Sequence, residues 1–285
     1  MQVRRANFAG ACYGVNRALK MVEQALIDGH DAKTVHTLGP LIHNPSVVEG
    51  LAARGVEPVD SVDQVEQGTL VIRSHGVPPQ VIEAAQAKSL TLVDATCPHV
   101  TRAQQAARRL RDNGYMVLVV GKLGHPEVEG IRAYAGAEAL VISQPDDLPA
   151  DLPNKGIGIV VQTTQTSQAL KAIVDALAER GISPEVHDTI CDATRQRQEA
   201  ARELAQQADV MLVVGGRNSG NTTRLAEICL AACPRTYHIE GPNELSYNWF
   251  AGAEVIGITA GASTPEDQIE AVEQRLAQLD PNPQV

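Results

Sequence analysis

The sequence has little of what marks a membrane, export or nucleic-acid-binding protein. Its 285 residues contain no run of about eighteen apolar residues, the length a membrane-spanning helix needs. The opening stretch Met1-Gln2-Val3-Arg4-Arg5-Ala6-Asn7 carries no apolar segment of the secretory-signal kind, so a cytoplasmic chain without membrane contact is expected. Aromatic residues are 3%, too few for the stacking platforms that hold single-stranded nucleic acid. Basic residues are outnumbered, 24 Lys and Arg against 34 Asp and Glu, and the net charge of −10 repels a duplex unless a local basic patch intervenes. No patch of useful density is present, and nucleic acid is not an expected partner. Two further patterns are missing: no C-x₂-C cysteine pair of the common zinc kind, and no G-x-G-x-x-G fingerprint after a strand-like run, which leaves a nicotinamide cofactor unsupported.

With 44% hydrophobic and 20% charged residues the chain has an ordinary globular composition, and its length suits two or three compact modules. It also repeats itself. Residues 97–121 lie over residues 191–215 without a gap, with ten identities in 25 positions, among them Cys97 on Cys191, Gln104 on Gln198 and Leu118-Val119-Val120-Gly121 on Leu212-Val213-Val214-Gly215. A period of 94 residues indicates domain-sized units rather than a solenoid. In each copy a short apolar run ends at the cysteine, a stretch rich in Ala, Gln, Arg and Leu follows with helical periodicity, and a β-branched run closes on glycine. That order predicts a parallel βαβ unit with a right-handed crossover. The first segment follows the same plan more loosely: Val3 to Phe8, Cys12, a helical pattern from Val15 to Ile27, then Val35 to Gly39. The expected fold is therefore α/β, with three similar βαβ-type modules at residues 1–96, 97–190 and 191–285 in pseudo-threefold arrangement around one central cavity.

The polar candidates fall after strand ends, where open parallel sheets place their ligands. A lone cysteine is most simply a small apolar core residue, but Cys12, Cys97 and Cys191 occupy equivalent loop positions. Three thiolates at a common centre suit zinc or an iron–sulfur cluster; without close pairs, a [4Fe–4S] cluster with one iron open to substrate is the favoured reading. Cys229 and Cys233, four apart on one helix face, read as core, with a fourth-ligand role as the lesser alternative. His30, His36, His99, His187 and His238 have no motif and default to surface or satisfied positions, whereas His43, His75 and His125 each sit in a loop after a strand among small residues. Imidazoles, loop hydroxyls and amides at helix starts bind phosphate, and Ser219, Asn221 and Ser263 fit that description. Gly215 to Thr222 matches a phosphate-binding P-loop except that Asn221 replaces the lysine, which argues against nucleotide hydrolysis but keeps an anion site. Glu127, against a reading of plain solvation that suits Glu129, is placed to deliver protons beside an anionic ligand. Thr163 and Thr164 either cap a helix starting near Gln165, or one of their hydroxyls relays a proton or holds a substrate alcohol.

Taken together and in order, these motifs make the chain resemble the 4-hydroxy-3-methylbut-2-enyl diphosphate reductase family over essentially its whole length. The motifs are Ala11-Cys12-Tyr13-Gly14-Val15-Asn16-Arg17-Ala18, His43-Asn44, Ser74-His75-Gly76-Val77, Asp94-Ala95-Thr96-Cys97-Pro98 and Gly124-His125-Pro126-Glu127. Gln162-Thr163-Thr164, Ile190-Cys191-Asp192-Ala193-Thr194, Asn218-Ser219-Gly220-Asn221 and Thr259-Ala260-Gly261-Ala262-Ser263 complete the set. The resemblance implies that Cys12, Cys97 and Cys191 hold a [4Fe–4S] cluster, and that His43, His75, His125, Ser219, Asn221 and Ser263 clamp a diphosphate, with Gly220 in the same loop. It implies Glu127 as proton donor, Thr163 as its hydroxyl partner near the substrate alcohol, and His125 beside them. The implied reaction is a two-electron reductive dehydroxylation of an allylic diphosphate to isopentenyl and dimethylallyl diphosphate, with electrons from ferredoxin or flavodoxin. Two positions depart from the family's pattern: Gly220 replaces a usual second serine, so weaker diphosphate binding is expected, and Tyr13 stands where Ala or Phe is commoner. The rival readings are a cluster-dependent hydratase or dehydratase, a redox or iron sensor, and a plain phosphate-binding protein with three buried thiols.

Overall fold

The structure is a computed structural model that describes residues 1–28, 35–153 and 155–278; His30 lies outside them. From the N-terminus, β1 (Gln2–Arg5) leads into α1 (Tyr13–Asp28). The chain continues through β2 (Val35–Leu38), α2 (Pro45–Ala52), β3 (Val56–Val59), β4 (Thr69–Ile72), α3 (Pro79–Ala87) and β5 (Thr91–Asp94). Next come α4 (Pro98–Asp112), β6 (Met116–Val120), α5 (Pro126–Ala135), β7 (Leu140–Ile142), β8 (Ile157–Val161), α6 (Ser167–Glu179) and β9 (Glu185–His187). The last stretch holds α7 (Asp192–Ala205), β10 (Val210–Val214), α8 (Gly220–Ala232), β11 (Thr236–Ile239), β12 (Val255–Ala260) and α9 (Glu266–Gln278).

Among the described residues these strands form three separate four-stranded sheets, in the orders β3-β2-β4-β5, β7-β6-β8-β9 and β11-β10-β12-β1, with every pair parallel. The α/β class and the threefold repetition of one sheet plan are therefore as expected. The interior strands explain themselves. MVLVV, IGIVV and VMLVV in β6, β8 and β10 are buried at every position, the near-continuous apolar run of a strand covered on both faces. In the second sheet Met116, Leu118, Val120, Ile159 and Val161 pack under Leu170, Ile173 and Leu177 of α6. The alternate residues Val117, Val119 and Val160 face Ala103, Ala107 and Leu110 of α4 and Val128 and Ile131 of α5, as the two-residue strand period demands. In the third sheet Leu212, Val214, Ile256 and Ile258 lie against Ile269, Val272 and Leu276 of α9.

Two expectations fail here for a common reason. The N-terminal strand, expected in the module at 1–96, pairs instead with β12, Gln2 opposite Val255 and Arg5 opposite Ile258. The expected crossover units are also not crossovers: β5 and β6 belong to different sheets, as do β9 and β10. The helix after each cysteine carries the chain from one sheet to the next, where α4 covers β6, and α7 sets Ala201 and Leu204 against Met211 and Val213 of β10. A run of apolar residues states that a segment is a strand but not which free sheet edge it joins. The burial patterns mark the difference: β1, β5 and β9, the strands that lead into the cysteine loops, are exposed or half-exposed throughout, as edge strands are.

The chain divides into two compact units. One comprises Met1–Val15, His43–Ser46 and the chain from Asp192, and contains the third sheet; the other comprises Asn16–Ile42 and Val47–Cys191, and contains the first two. No helix among the described residues is long and apolar enough to cross a membrane.

Candidate active site

The three cysteines that align in the sequence are anchored identically by the backbone. The Cys97 N–H donates to the Ser74 carbonyl (2.9 Å), the Cys191 N–H to the Thr163 carbonyl (3.1 Å) and the Cys12 N–H to the Ala262 carbonyl (3.0 Å). Ser74, Thr163 and Ala262 each lie two residues past the end of the third strand of their sheet, β4, β8 and β12. Each thiol is half-buried, and each precedes a helix: Cys97 is the N-cap of α4, while α1 and α7 start one residue after Cys12 and Cys191. Cys229 and Cys233 differ in every respect. They are buried in the core with Leu225 and Ala201, and burial, helped by the neighbouring Cys233, pushes the Cys229 thiol up to about 12. Their burial among apolar side chains suits core packing.

In the unit that holds the first two sheets, the candidate residues form one unbroken path. From Cys97 the path runs through Ser74 to His75, whose ring meets the His125 ring edge-on, with centroids 5.7 Å apart at 79°. His125 is the N-cap of α5, its Nδ1 accepting from the Glu127 N–H (3.2 Å). As an acceptor Nδ1 carries no proton, so the ring proton sits on Nε2. The Glu127 carboxylate is buried and takes two hydrogen bonds from one residue, the Thr163 N–H to Oε1 (2.6 Å) and the Thr163 hydroxyl to Oε2 (3.0 Å). Thr163 then closes the path, because its carbonyl holds the Cys191 N–H. Burial raises the Glu127 carboxyl from 4.5 to about 7, against the opposing pull of the two Thr163 bonds. The alternative role considered for Thr163 and Thr164 is corrected: α6 begins at Ser167, and its cap is Thr166, which accepts from the Ala169 N–H. Glu129 is also not simply solvated, since it accepts from the Gly124 N–H (3.1 Å).

The unit with the third sheet gathers the other candidates. The Ser263 hydroxyl donates to the His43 carbonyl (3.0 Å), and Ser263 follows Ala262, the anchor of Cys12. Ser219 caps α8 through its Oγ, which accepts from the Thr222 N–H (3.3 Å), and α8 starts at Gly220. His125 and Ser219, aligned by the 94-residue repeat, thus do the same work at the two helix starts. Asn221 in the first turn of α8 is buried, and neither atom of its amide has a hydrogen-bond partner among the described residues. A buried amide seldom goes unpaired, and at a helix N-terminus the natural partner is an anion. Thr222 lies under the same turn, where a Cβ on Gly261 would sit 2.0 Å from its Oγ1, so only glycine fits. Tyr13 is exposed, the residue 69% accessible. Replacing Ser219 by Ala is expected to lower stability by about 1 kcal/mol through loss of the cap, read as a lower urea midpoint.

Sequence reasoning passed over two placed side chains. Asn44 was only a motif letter after His43, yet it is buried and hydrogen-bonded to the Ser263 carbonyl. Arg197, buried on α7, donates through Nη2 to the Gly10 carbonyl (2.7 Å) and so braces the loop that ends in Cys12. The one available signal for Arg197 was its departure from the repeat, where the aligned residue is Ala103. His238, assigned no role, has its Nε2 2.8 Å from the Gly215 carbonyl.

Comparison with known proteins agrees over the full length. The family described as LytB protein matches residues 3–277. A 4-hydroxy-3-methylbut-2-enyl diphosphate reductase of Trichlorobacter lovleyi is 48% identical over 280 residues, covering 98% of this chain and 99% of its own. The enzyme of the same name from Pelobacter propionicus is 47% identical over 280 residues, with the same coverage. A solved structure of (E)-4-hydroxy-3-methyl-but-2-enyl diphosphate reductase, the terminal enzyme of the non-mevalonate pathway, is similar at a TM-score of 0.72 and 41% identity, covering 97% of this chain and 99% of that one. The E-1-hydroxy-2-methyl-but-2-enyl-4-diphosphate reductase from Plasmodium falciparum is similar at a TM-score of 0.91 and 26% identity, covering 99% and 88%. With matches of this extent and identity, the chain belongs to the LytB protein family, whose named relatives are reductases.

Proposed function

We propose that this chain is an oxidoreductase that removes the allylic hydroxyl of 4-hydroxy-3-methylbut-2-enyl diphosphate, forming isopentenyl and dimethylallyl diphosphate, with a [4Fe–4S] cluster on Cys12, Cys97 and Cys191. The observation that carries the reading is Thr163, which holds the Glu127 carboxyl with its amide and hydroxyl and the Cys191 backbone with its carbonyl. One residue thereby ties a proton source to a thiol loop. The donor set suits the cluster: three half-buried cysteines, none in a disulfide, with the same backbone anchor. Among the described residues no three His, Cys, Asp or Glu side chains converge as a single metal ion needs. A four-iron cluster takes its thiolates on different irons, so it does not ask for that convergence. When bound, the cluster supplies single electrons and an iron without a protein ligand.

The net change consumes two electrons and two protons and releases water. His43, His75, His125, Ser219, Asn221 and Ser263 hold the diphosphate, joined by backbone N–H groups at the start of α8 near Gly220. Fixing that end orients the allylic alcohol. The Thr163 hydroxyl attends the alcohol, and Glu127, with a carboxyl at about 7, delivers a proton to the departing hydroxyl near neutral pH. His125 acts with them, presenting its Nε2 proton. Ferredoxin or flavodoxin is the proposed electron donor. None of the five cysteines is in a disulfide, as suits a reducing compartment, which we take to be the cytoplasm.

Anaerobic purification with iron and sulfide analysis, followed by turnover of the allylic diphosphate with a chemical reductant, tests the reading. Four irons per chain and both olefinic diphosphates are expected. Hydrated or dehydrated product without reductant would favour the hydratase reading, and a cluster without turnover would favour a sensor.

A further inference from the structure

We propose that Gln268, on α9 and outside every motif above, is the positioning residue that seats His43 and Ser263 for diphosphate binding; the inference rests on the proposed function. The segment His43–Ser46 packs with the third-sheet unit although the residues on both sides of it belong to the other unit. Something specific must therefore hold it. Asn44 Nδ2 donates to the Ser263 carbonyl (2.9 Å) and to Gln268 Oε1 (2.8 Å), and the Ser263 hydroxyl returns a bond to the His43 carbonyl (3.0 Å). On its other side Gln268 Nε2 donates to the Glu240 carbonyl. Glu240 in turn accepts the Arg217 N–H at Oε1 (2.8 Å), fixing the loop that leads to Ser219 and Asn221. Gly216 in that loop leaves room for the segment, since a Cβ there would lie 2.9 Å from the His43 carbonyl oxygen.

The chemistry at both ends specifies an amide. Ser263 and Glu240 present carbonyl oxygens, which only accept. Asn44 must then turn its NH₂ toward Ser263, Gln268 must offer oxygen to that NH₂, and its own NH₂ must face Glu240. A carboxylate cannot make the last bond, and a hydrocarbon makes neither. Gln268 touches no reacting atom; it joins three loops that carry His43, Ser263 and the Ser219–Asn221 turn.

The test uses cluster-loaded protein under anaerobic conditions, with inorganic pyrophosphate as the binding probe and the allylic diphosphate plus a chemical reductant for kinetics. Gln268→Met keeps the volume and removes both bonds. It is expected to weaken pyrophosphate binding and raise KM about tenfold, as loss of one buried hydrogen-bonded link does, with kcat within about twofold and cluster absorbance unchanged. Asn44→Ala is expected to do the same, and the double variant to be no worse than the weaker single one, because both break one link. Pyrophosphate affinity within about twofold of wild type in Gln268→Met, a fall in kcat with KM unchanged, or additive losses in the double variant would overturn the assignment. A wild-type protein that binds neither pyrophosphate nor the allylic diphosphate would instead sink the proposed function, and this inference with it.

Discussion

Glu127→Gln is expected to cut turnover by about two orders of magnitude or more while cluster absorbance and pyrophosphate affinity stay as in the wild type. Glutamine keeps the shape: its Oε1 can still accept the Thr163 N–H, and its NH₂ can donate to the Thr163 hydroxyl, so the path from His125 to Cys191 stands. What is lost is an exchangeable proton on a buried group that titrates near neutrality, the condition for an efficient general acid. A drop of that size corresponds to about 3 kcal/mol of lost transition-state stabilisation. Steady-state kinetics with saturating reductant, together with the absorbance spectrum, measure it; unchanged turnover removes Glu127 from the chemistry.

The same carboxyl makes a stability prediction whose sign follows from its shift. Its value rises from 4.5 to about 7 on folding, so between those pH values the folded chain keeps a proton that the unfolded chain has released. Stability from this group is complete below about pH 4.5 and is lost as pH rises to about 7, a contribution on the order of 3 kcal/mol. Glu127→Gln cannot titrate and lacks this slope. The Tm of the wild type minus that of the variant is therefore expected to fall between about pH 4.5 and about pH 7. A flat difference would mean that the carboxyl is solvated like an ordinary surface glutamate.

Cys97→Ala is expected to abolish both cluster retention and turnover, as are Cys12→Ala and Cys191→Ala. Losing one of three thiolates leaves an iron without its ligand, and the equivalent backbone anchors give no reason for one to matter less. Cys229→Ala is the contrasting case: it trims a buried core side chain, leaves iron content and turnover near wild type, and lowers only stability, by about 1 kcal/mol. Iron analysis and anaerobic spectra separate the two classes. Full iron content in Cys97→Ala would contradict the ligand set, and loss of iron in Cys229→Ala would revive its alternative role as a fourth ligand.

Much of the site was legible because it is local. A cysteine after each of β1, β5 and β9, a helix cap two residues before Glu127 and Asn221, and small polar residues at strand ends all lie within a few positions of the element that presents them. The repeat made them stand out, since equivalent loops carry equivalent duties, as the caps by His125 and Ser219 demonstrate. Contacts between distant positions left no such trace. Glu127 and Thr163 are 36 residues apart, and Asn44 and Gln268 are 224 apart.

The amino-acid sequence by itself determined the α/β class, the repeated module, the strands buried on both faces and the separation of three loop cysteines from two core ones. Periodicity, loop chemistry and self-similarity carry those facts without reference to distant residues. Tertiary structure alone decided that the first strand completes the third sheet, that the helix after each cysteine changes sheets, and that Thr166 caps α6. It also decided the proton affinity of Glu127. Edge pairing depends on which backbone groups remain free after the sheet forms, and a carboxyl rises to about 7 only once the packed chain has taken it from water.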